Sequence, residues 1–145
     1  MALTLLSPLN NIYRRDVSIN TGTLSVDPTN ANCVIAGQWV TLDTNGLATD
    51  PTSATALSYQ VFSEKGDYSA QALGKVTILN SFDYIAETDH IVATSIVAGS
   101  QLMVDGDGKL LLATTGSNNF VVAIALAAPS NGVLKYQRIS PFLLA

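Results

Sequence analysis

Two segments of the sequence share a pattern in which a short alternating run is closed by a tight turn. The first is AGQWVTLDTNG, residues 36–46, and the second is AGSQLMVDGDG, residues 98–108. The second copy follows the first by 62 positions, which is 99 minus 37 for the glycines and 105 minus 43 for the aspartates. Alternation of apolar residues predicts a half-buried strand, and Asp followed by Asn-Gly or Asp-Gly predicts a turn. Each copy therefore predicts one strand of a hairpin.

Strand-like runs separated by turn residues continue through most of the chain. They are Leu57–Ser63, Lys75–Leu79, Phe82–Ala86, Ile91–Val97, Lys109–Ala113, Phe120–Ala127 and Val133–Ile139. Phe120–Ala127 is apolar throughout, which indicates a strand buried on both faces, and only Ser69–Leu73 has the composition of a short helix. The pattern predicts an all-β fold, a single-domain β-barrel or a jelly-roll-like sandwich over residues 1–145.

Residues 1–20 lack a clear period. Their short apolar run is interrupted by Pro8, Asn10 and Asn11. This favours an extended N-terminal arm or a docking strand that binds another surface. A frayed terminus and an edge strand of the protein's own barrel remain the alternatives.

Composition restricts the classes of partner. Charged residues make up 12% of the chain, about half of the roughly 25% usual in soluble domains, which suits a protein that packs against copies of itself or against a partner. The net charge of -4 argues against nucleic-acid binding, which needs a basic surface. No apolar run is long enough to span a membrane. The arginines near the N-terminus follow the apolar residues, the reverse of a signal peptide, so we expect a soluble protein made in the cytoplasm.

Candidate catalytic and metal-binding residues are few. Asp105-Gly106-Asp107-Gly108 resembles the start of a calcium loop, but Lys109 and Gly116 stand where such a loop needs an oxygen ligand and a glutamate. We interpret it as a hairpin turn anchored by Asp105. His90 is the only histidine, and we expect it in a solvated polar turn; Cys33, the only cysteine, is expected to be a small buried residue.

The carboxylates of Asp83, Glu87 and Asp89 are candidates for an acid/base pair, but a strand followed by a turn does not force them together. No nucleophile elbow or glycine-rich phosphate loop is present. We therefore expect no enzymatic activity, no cofactor and no metal site.

The C-terminal part of the sequence resembles the small capsid decoration proteins, or cement proteins, of tailed bacteriophages. The resemblance runs from Val97-Ala98-Gly99 through Val104-Asp105 and Asp107-Gly108-Lys109-Leu110 to Val122–Ala125 and Ser130-Asn131-Gly132-Val133. Those proteins have a hairpin of this kind followed by a Val-Gly-x-Ala type strand, where this chain has Ala123 in place of the glycine. The resemblance implies a β-barrel or β-sandwich that forms dimers or trimers on the capsid exterior and binds the major capsid protein, with no catalytic or metal residues.

This role leads us to expect intersubunit contacts at both ends of the chain. The candidate residues are Leu5, Leu6, Leu9, Ile12, Tyr13, Arg14 and Arg15 in the arm, and Phe142, Leu143 and Leu144 at the C-terminus. The alternative function is a carbohydrate- or receptor-binding β-module of a virion tail or fibre. That alternative requires exposed aromatic residues such as Trp39, Tyr59 or Tyr84 along a groove. We expect Trp39 in the core.

Overall fold

The computed structural model describes residues 3–8, 13–27, 29–51, 57–62, 74–114 and 119–144. Within these residues the secondary structure consists of strands and turns, with no helix. The strands are β1 (Leu3–Ser7), β2 (Arg14–Ser18), β3 (Trp39–Leu42), β4 (Ala48–Thr49), β5 (Ser58–Gln60), β6 (Lys75–Leu79), β7 (Tyr84–Thr88), β8 (Gln101–Val104), β9 (Leu110–Leu112), β10 (Asn119–Ala125) and β11 (Leu134–Leu144). The prediction of an all-β chain is confirmed, and the short-helix candidate Ser69–Leu73 lies outside the described residues.

The strands form three antiparallel sheets. Their orders are β1-β7-β11-β10-β8-β9, β4-β3-β5 and β2-β6. Among the described residues the sheets pack together without closing into a barrel, so the barrel expected from the sequence is not found. In the first half, β4 has only two residues and meets the β2 segment through a single bridge, Ile19 to Ala48.

Two segments of the chain have the same strand topology. We call residues 13–80 (β2 to β6) the first half and residues 82–144 (β7 to β11) the second half. In the second half the strand order is β7-β11-β10-β8-β9. The first half has the equivalent order β2-β6-β5-β3-β4, since the bridge from Val61 to Ile78 links β5 to β6. β1 is an additional strand, and it pairs with β7.

Individual β-bridges and backbone hydrogen bonds also repeat between the two halves. The parallel bridge from Ile19 to Ala48 in the first half corresponds to the bridge from Ile91 to Leu110 in the second. The amide of Asn20 donates to the carbonyl of Ala48 at 2.8 Å, and the amide of Val92 donates to that of Leu110 at 2.8 Å. The two halves are therefore two copies of one five-stranded unit.

The two sequence motifs form the same hairpin in the two halves. The Asp43 Oδ1 atom accepts the backbone N–H groups of Asn45 and Leu47, both at 2.9 Å. Asp105 Oδ1 accepts those of Asp107 and Lys109, also at 2.9 Å. The prediction of an Asp-anchored hairpin turn is confirmed for both copies.

Each half has its own hydrophobic core. The first contains Val17, Ile19, Leu24, Val34, Val40, Ala48, Val61, Val76 and Ile78. The second contains Tyr84, Ala86, Ile96, Leu102, Val104, Leu110, Val122, Ala123, Ala125, Leu134 and Tyr136, together with Trp39 and Leu79 from the first half. Equivalent positions are buried in both, for example Val40 and Leu102, or Ala48 and Leu110. Trp39 thus joins the first half to the core of the second, as the sequence-based expectation of a core Trp39 required.

The second hairpin turn also lies against the first half. The amide of Trp39 donates to the carbonyl of Gly108 at 2.9 Å. A Cβ atom at Gly108 would lie 2.5 Å from the carbonyl oxygen of Trp39, whereas one at Gly46, the equivalent glycine, would meet nothing within 4 Å. Both glycines have positive φ, +75° and +76°.

The two glycines are a matched pair for testing this contact. Gly46→Ala carries only the strain of positive φ, and we expect it to lower the free energy of unfolding by about 1–2 kcal/mol. Gly108→Ala carries the same strain and a collision with backbone, which adds about 1–3 kcal/mol. Urea denaturation of both variants measures the difference, and equal losses would contradict the packing of this turn on β3.

Candidate functional site

A polar cavity lies between the two halves. It has a volume of about 210 Å³ and is lined by Leu24, Ala31, Asn32, Cys33, Ile35, Gln38, Asp50, His90 and Asp107. His90 and Asp107 come from the second half, and the other residues come from the first. The cavity thus exists only because the halves pack together.

His90 is buried in this cavity, so the expectation of a solvated turn was wrong. The turn of the second motif covers the ring, whose Nε2 atom lies 3.4 Å from the carbonyl oxygen of Asp107. The Nδ1 atom is buried without a hydrogen-bond partner. Burial lowers the pKa of His90 below 6.5, although the Asp107 carbonyl opposes the shift. The ring is therefore held neutral near pH 7.

The other ionisable groups of the cavity do not complete a catalytic or metal-binding set. The pKa of Asp50 is raised, first by burial and then by the charge of Asp107. Burial raises the pKa of the Cys33 thiol, which disfavours the reactive thiolate. No group of three or more His, Cys, Asp or Glu side chains among the described residues is arranged to hold a metal ion. Asp83 and Glu87, two of the candidate acid/base carboxylates, do not line the cavity.

A buried polar cluster lies on the boundary between the halves. The Gln60 Oε1 atom accepts hydrogen bonds from the hydroxyls of Tyr84, at 2.9 Å, and Tyr136. The Gln60 Nε2 group donates to the carbonyl of Gly37 at 3.1 Å. Burial raises the pKa of both tyrosines, so both hydroxyls remain protonated donors. One amide of the first half thus binds two hydroxyls of the second.

Arg138 crosses the same boundary and is almost fully buried. Its Nη2 group donates to the carbonyl of Ser58 at 2.8 Å, and its guanidinium lies 4.7 Å from the ring centroid of Trp39 and 5.0 Å from that of Phe82. The contacts that the described residues make with it are thus a carbonyl and two aromatic rings, none of them a carboxylate. Burial lowers the pKa of Arg138, and the rings offset part of the cost of desolvation.

The alternating strand pattern contains a signal for this buried polar cluster. Arg138 has the same parity as Leu134 and Tyr136 in β11, and all three point inward. Gln60 likewise shares its face of the sheet with Trp39, its partner across β3 and β5. The sequence does not show which surface of the protein packs on these residues.

The residues expected at intersubunit contacts are found on three strands. In β1, Leu5 packs partly against the second core and Leu6 is half-buried. Tyr13 is 75% exposed beside β2, and Arg14 and Arg15 are exposed within it. At the end of β11, Phe142 is 41% and Leu143 52% exposed, and Leu144 is half-buried. Leu9 and Ile12 lie outside the described residues.

The two terminal segments are also parts of the protein's own sheets. β1 pairs with β7, and the end of β11 pairs with the start of β10, where Phe142 lies opposite Val121. The guanidinium of Arg14 lies 5.1 Å from the ring centroid of Phe62. Both strands within residues 1–20, β1 and β2, are therefore paired within the chain.

No helix in the described part of the chain is long and apolar enough to cross a membrane. Comparison with known proteins found no match: no protein-family model, no curated protein and no solved structure matches this chain.

The hydrogen bonds of Gln60 give a testable energetic prediction. Gln60→Leu leaves the hydroxyls of Tyr84 and Tyr136 buried without their acceptor, at about 1–3 kcal/mol for each group. Adding Tyr84→Phe and Tyr136→Phe removes those unsatisfied groups. We expect the triple variant to be more stable than Gln60→Leu alone in urea denaturation. A triple variant less stable than the single one would show that the hydroxyls have other partners.

The burial of His90 predicts a pH dependence. The pKa of His90 is lower in the folded state than in the unfolded chain. As the pH falls through about 6.5, the unfolded chain therefore takes up a proton at His90 before the folded protein does. The free energy of unfolding therefore decreases from pH 7.5 towards pH 5, by at most about 1.4 kcal/mol per pH unit from this group.

His90→Gln removes this contribution and leaves Asp50 and Asp107 in place. The stability difference between the native protein and the variant should therefore grow in favour of the native protein from pH 5 to pH 7.5. Urea denaturation at several pH values measures it. A difference that does not change with pH would contradict a depressed pKa at His90.

Proposed function

We propose that this protein is a structural protein that decorates and stabilises an icosahedral phage capsid by binding the major capsid protein between capsomers. It does so as a self-associated dimer or trimer on the capsid exterior, in the virion, after synthesis in the host cytoplasm. Within this proposal the sheets form a jelly-roll-like sandwich and residues 1–20 act as an arm that docks on a neighbouring subunit. No enzymatic step, nucleic acid or membrane takes part.

The observation that carries the proposal is the combination of exposed apolar side chains with very low charge. Tyr13, Phe142 and Leu143 are large, exposed and located on or beside strands, which hold them in fixed directions. Only 12% of the chain is charged. Aromatic and aliphatic anchors surrounded by uncharged polar residues are the composition of a specific protein-protein interface.

The motif that resembles decoration proteins supports the proposal through its geometry. The carboxylates of Asp43 and Asp105 accept backbone N–H groups of their own turns. The motif therefore acts as scaffold, which agrees with a resemblance that implies no catalytic or metal residues. Two copies of one unit also present related surfaces twice, which suits binding to a shell built from repeated subunits.

The alternative, a carbohydrate- or receptor-binding module, loses its main support. Trp39 is fully buried and Tyr84 is 2% exposed, so two of its three aromatic candidates are not on the surface. Only Tyr59 is partly exposed. An aromatic groove for sugar rings would need more than this residue.

Binding to empty shells of the cognate major capsid protein tests the proposal. We expect the protein to co-sediment with expanded shells and not with unexpanded ones. Burying a large apolar side chain contributes about 1.5–3 kcal/mol. Phe142 and Leu143 are each about half exposed, so the double variant Phe142→Ser/Leu143→Ser should bind the shells at least about tenfold more weakly.

Val97→Ser is the matched control, because Val97 is an exposed apolar residue in a loop outside the predicted contact set. It should bind the shells as the native protein does. Absence of binding to expanded shells at micromolar protein would overturn the proposed function. Equal loss in both variants would overturn the role of the C-terminal residues.

A further inference from the structure

The contact between the two halves joins different surfaces of the same unit. The first half contributes the outer face of β3 and β5, with Trp39, Thr41 and Gln60, which we call the β3–β5 face. The second half contributes Tyr84 and Arg138, which are partners across β7 and β11 and which we call the β7–β11 end. A contact of this kind is heterologous, since face and end belong to different parts of the repeated unit.

Each half therefore also has an equivalent of the surface that the other half contributes, and this equivalent surface takes no part in the contact. The repeat relates Trp39, Thr41 and Gln60 to Gln101, Met103 and Ile124, the β8–β10 face of the second half. Trp39 and Gln60 pair across their strands, as do Gln101 and Ile124.

The repeat also relates Tyr84 and Arg138 to Tyr13 and Asn80, the β2–β6 end of the first half. Tyr84 pairs with Arg138, and the amide of Asn80 donates to the carbonyl of Tyr13 at 2.8 Å. Four residues further along each strand lies an equivalent buried pair, Val17 with Val76 and Thr88 with Leu134. Between these pairs and the bridges of Ile19 and Ile91 the second half has one residue more.

Burial differs sharply between equivalent residues. Tyr84 is 2% exposed and Tyr13 is 75% exposed, although both are tyrosines at the same place in the unit. Trp39 and Gln60 are fully buried, whereas Gln101 is exposed and Ile124 half-buried. The equivalents of Tyr84, Arg138 and Trp39 are thus exposed and that of Gln60 is half-buried, whereas Ile78, the equivalent of Tyr136, is buried in the first core.

We propose that a second copy of this chain docks its β8–β10 face on the β2–β6 end and repeats the internal contact between chains. The residues fit this role. The β8–β10 face carries one amide and one large apolar side chain on paired positions, as the β3–β5 face does, but with the two exchanged: Gln101 stands at the place of Trp39 and Ile124 at that of Gln60. Paired residues of neighbouring strands have Cβ atoms about 5 Å apart, so the Gln101 amide and the Tyr13 hydroxyl belong to facing surfaces in this arrangement. Asn80 replaces Arg138, so this contact buries no guanidinium at that position.

A heterologous contact leads to rings or open chains and not to a two-fold dimer. Each added copy covers one end and exposes another. This inference rests on one part of the proposed function, the self-association, and does not depend on capsid binding. It is therefore tested on the free protein.

Two variants block one surface each. Tyr13→Arg places a charge on the β2–β6 end beside Arg14 and Arg15, and Gln101→Arg places one on the β8–β10 face. Both positions are exposed, so the folded state is expected to keep its stability, which circular dichroism and urea denaturation check. Val97→Arg, at another exposed site, is the control. Analytical ultracentrifugation over a concentration series gives the association state.

We expect the native protein and Val97→Arg to form oligomers below about 100 μM, and each blocking variant alone to raise the apparent Kd at least about tenfold. An equimolar mixture of the two blocking variants should give a dimer, because it restores one productive contact. A two-fold interface gives no such rescue.

Native protein that remains monomeric, blocking variants that associate as the native protein does, or a mixture that stays monomeric would overturn the inference. Shell co-sedimentation of the same variants is measured separately. Loss of shell binding with intact self-association counts only against the capsid role, and intact shell binding without self-association counts only against this inference.

Discussion

The packing of the first half on the second through Trp39 is the contact on which the rest of this structure depends. The indole belongs to the first half by sequence and to the second core by packing, and the guanidinium of Arg138 lies over it at 4.7 Å. Burying a cation is costly, and removing one partner of such a contact usually costs more than forming it gains. The aromatic rings of Trp39 and Phe82 and the carbonyl of Ser58 therefore act together to hold the two halves in one arrangement.

This contact also explains why two copies of one unit have different surfaces. In the first half the outer face of β3 and β5 carries Trp39 and Gln60 and is covered. In the second half the equivalent face carries Gln101 and Ile124 and remains accessible. The turns show the same divergence, since Gly108 lies against backbone and Gly46 meets open space. Equal local folding thus leads to unequal surfaces because each half has a different neighbour.

Several elements could be predicted from the sequence because their causes are local. The alternation in Lys75–Leu79 gave β6 with its observed bounds, and the Asp-led turns gave both hairpins. The expected strand at Ile91–Val97 was wrong, since only Ile91 forms a bridge there. The solvated turn expected at His90 was wrong because the turn that covers the ring comes from the second motif, far along the chain. The polarity of the residues next to His90 in the sequence does not predict whether another turn will bury its ring.

By itself the sequence determined the all-β class of the chain, the positions of both motif hairpins and the place of Trp39 in a core. These features follow from strand alternation and Asp-anchored turns, which depend on residues a few positions apart. Only the tertiary structure decided that the motifs belong to two copies of a five-stranded unit, that Gln60 and Arg138 are buried between them, and that Tyr13 is exposed where Tyr84 is covered. Those features depend on which surface packs on which, and residues 60 and 138 meet only when the sheets have formed and the two halves are in contact.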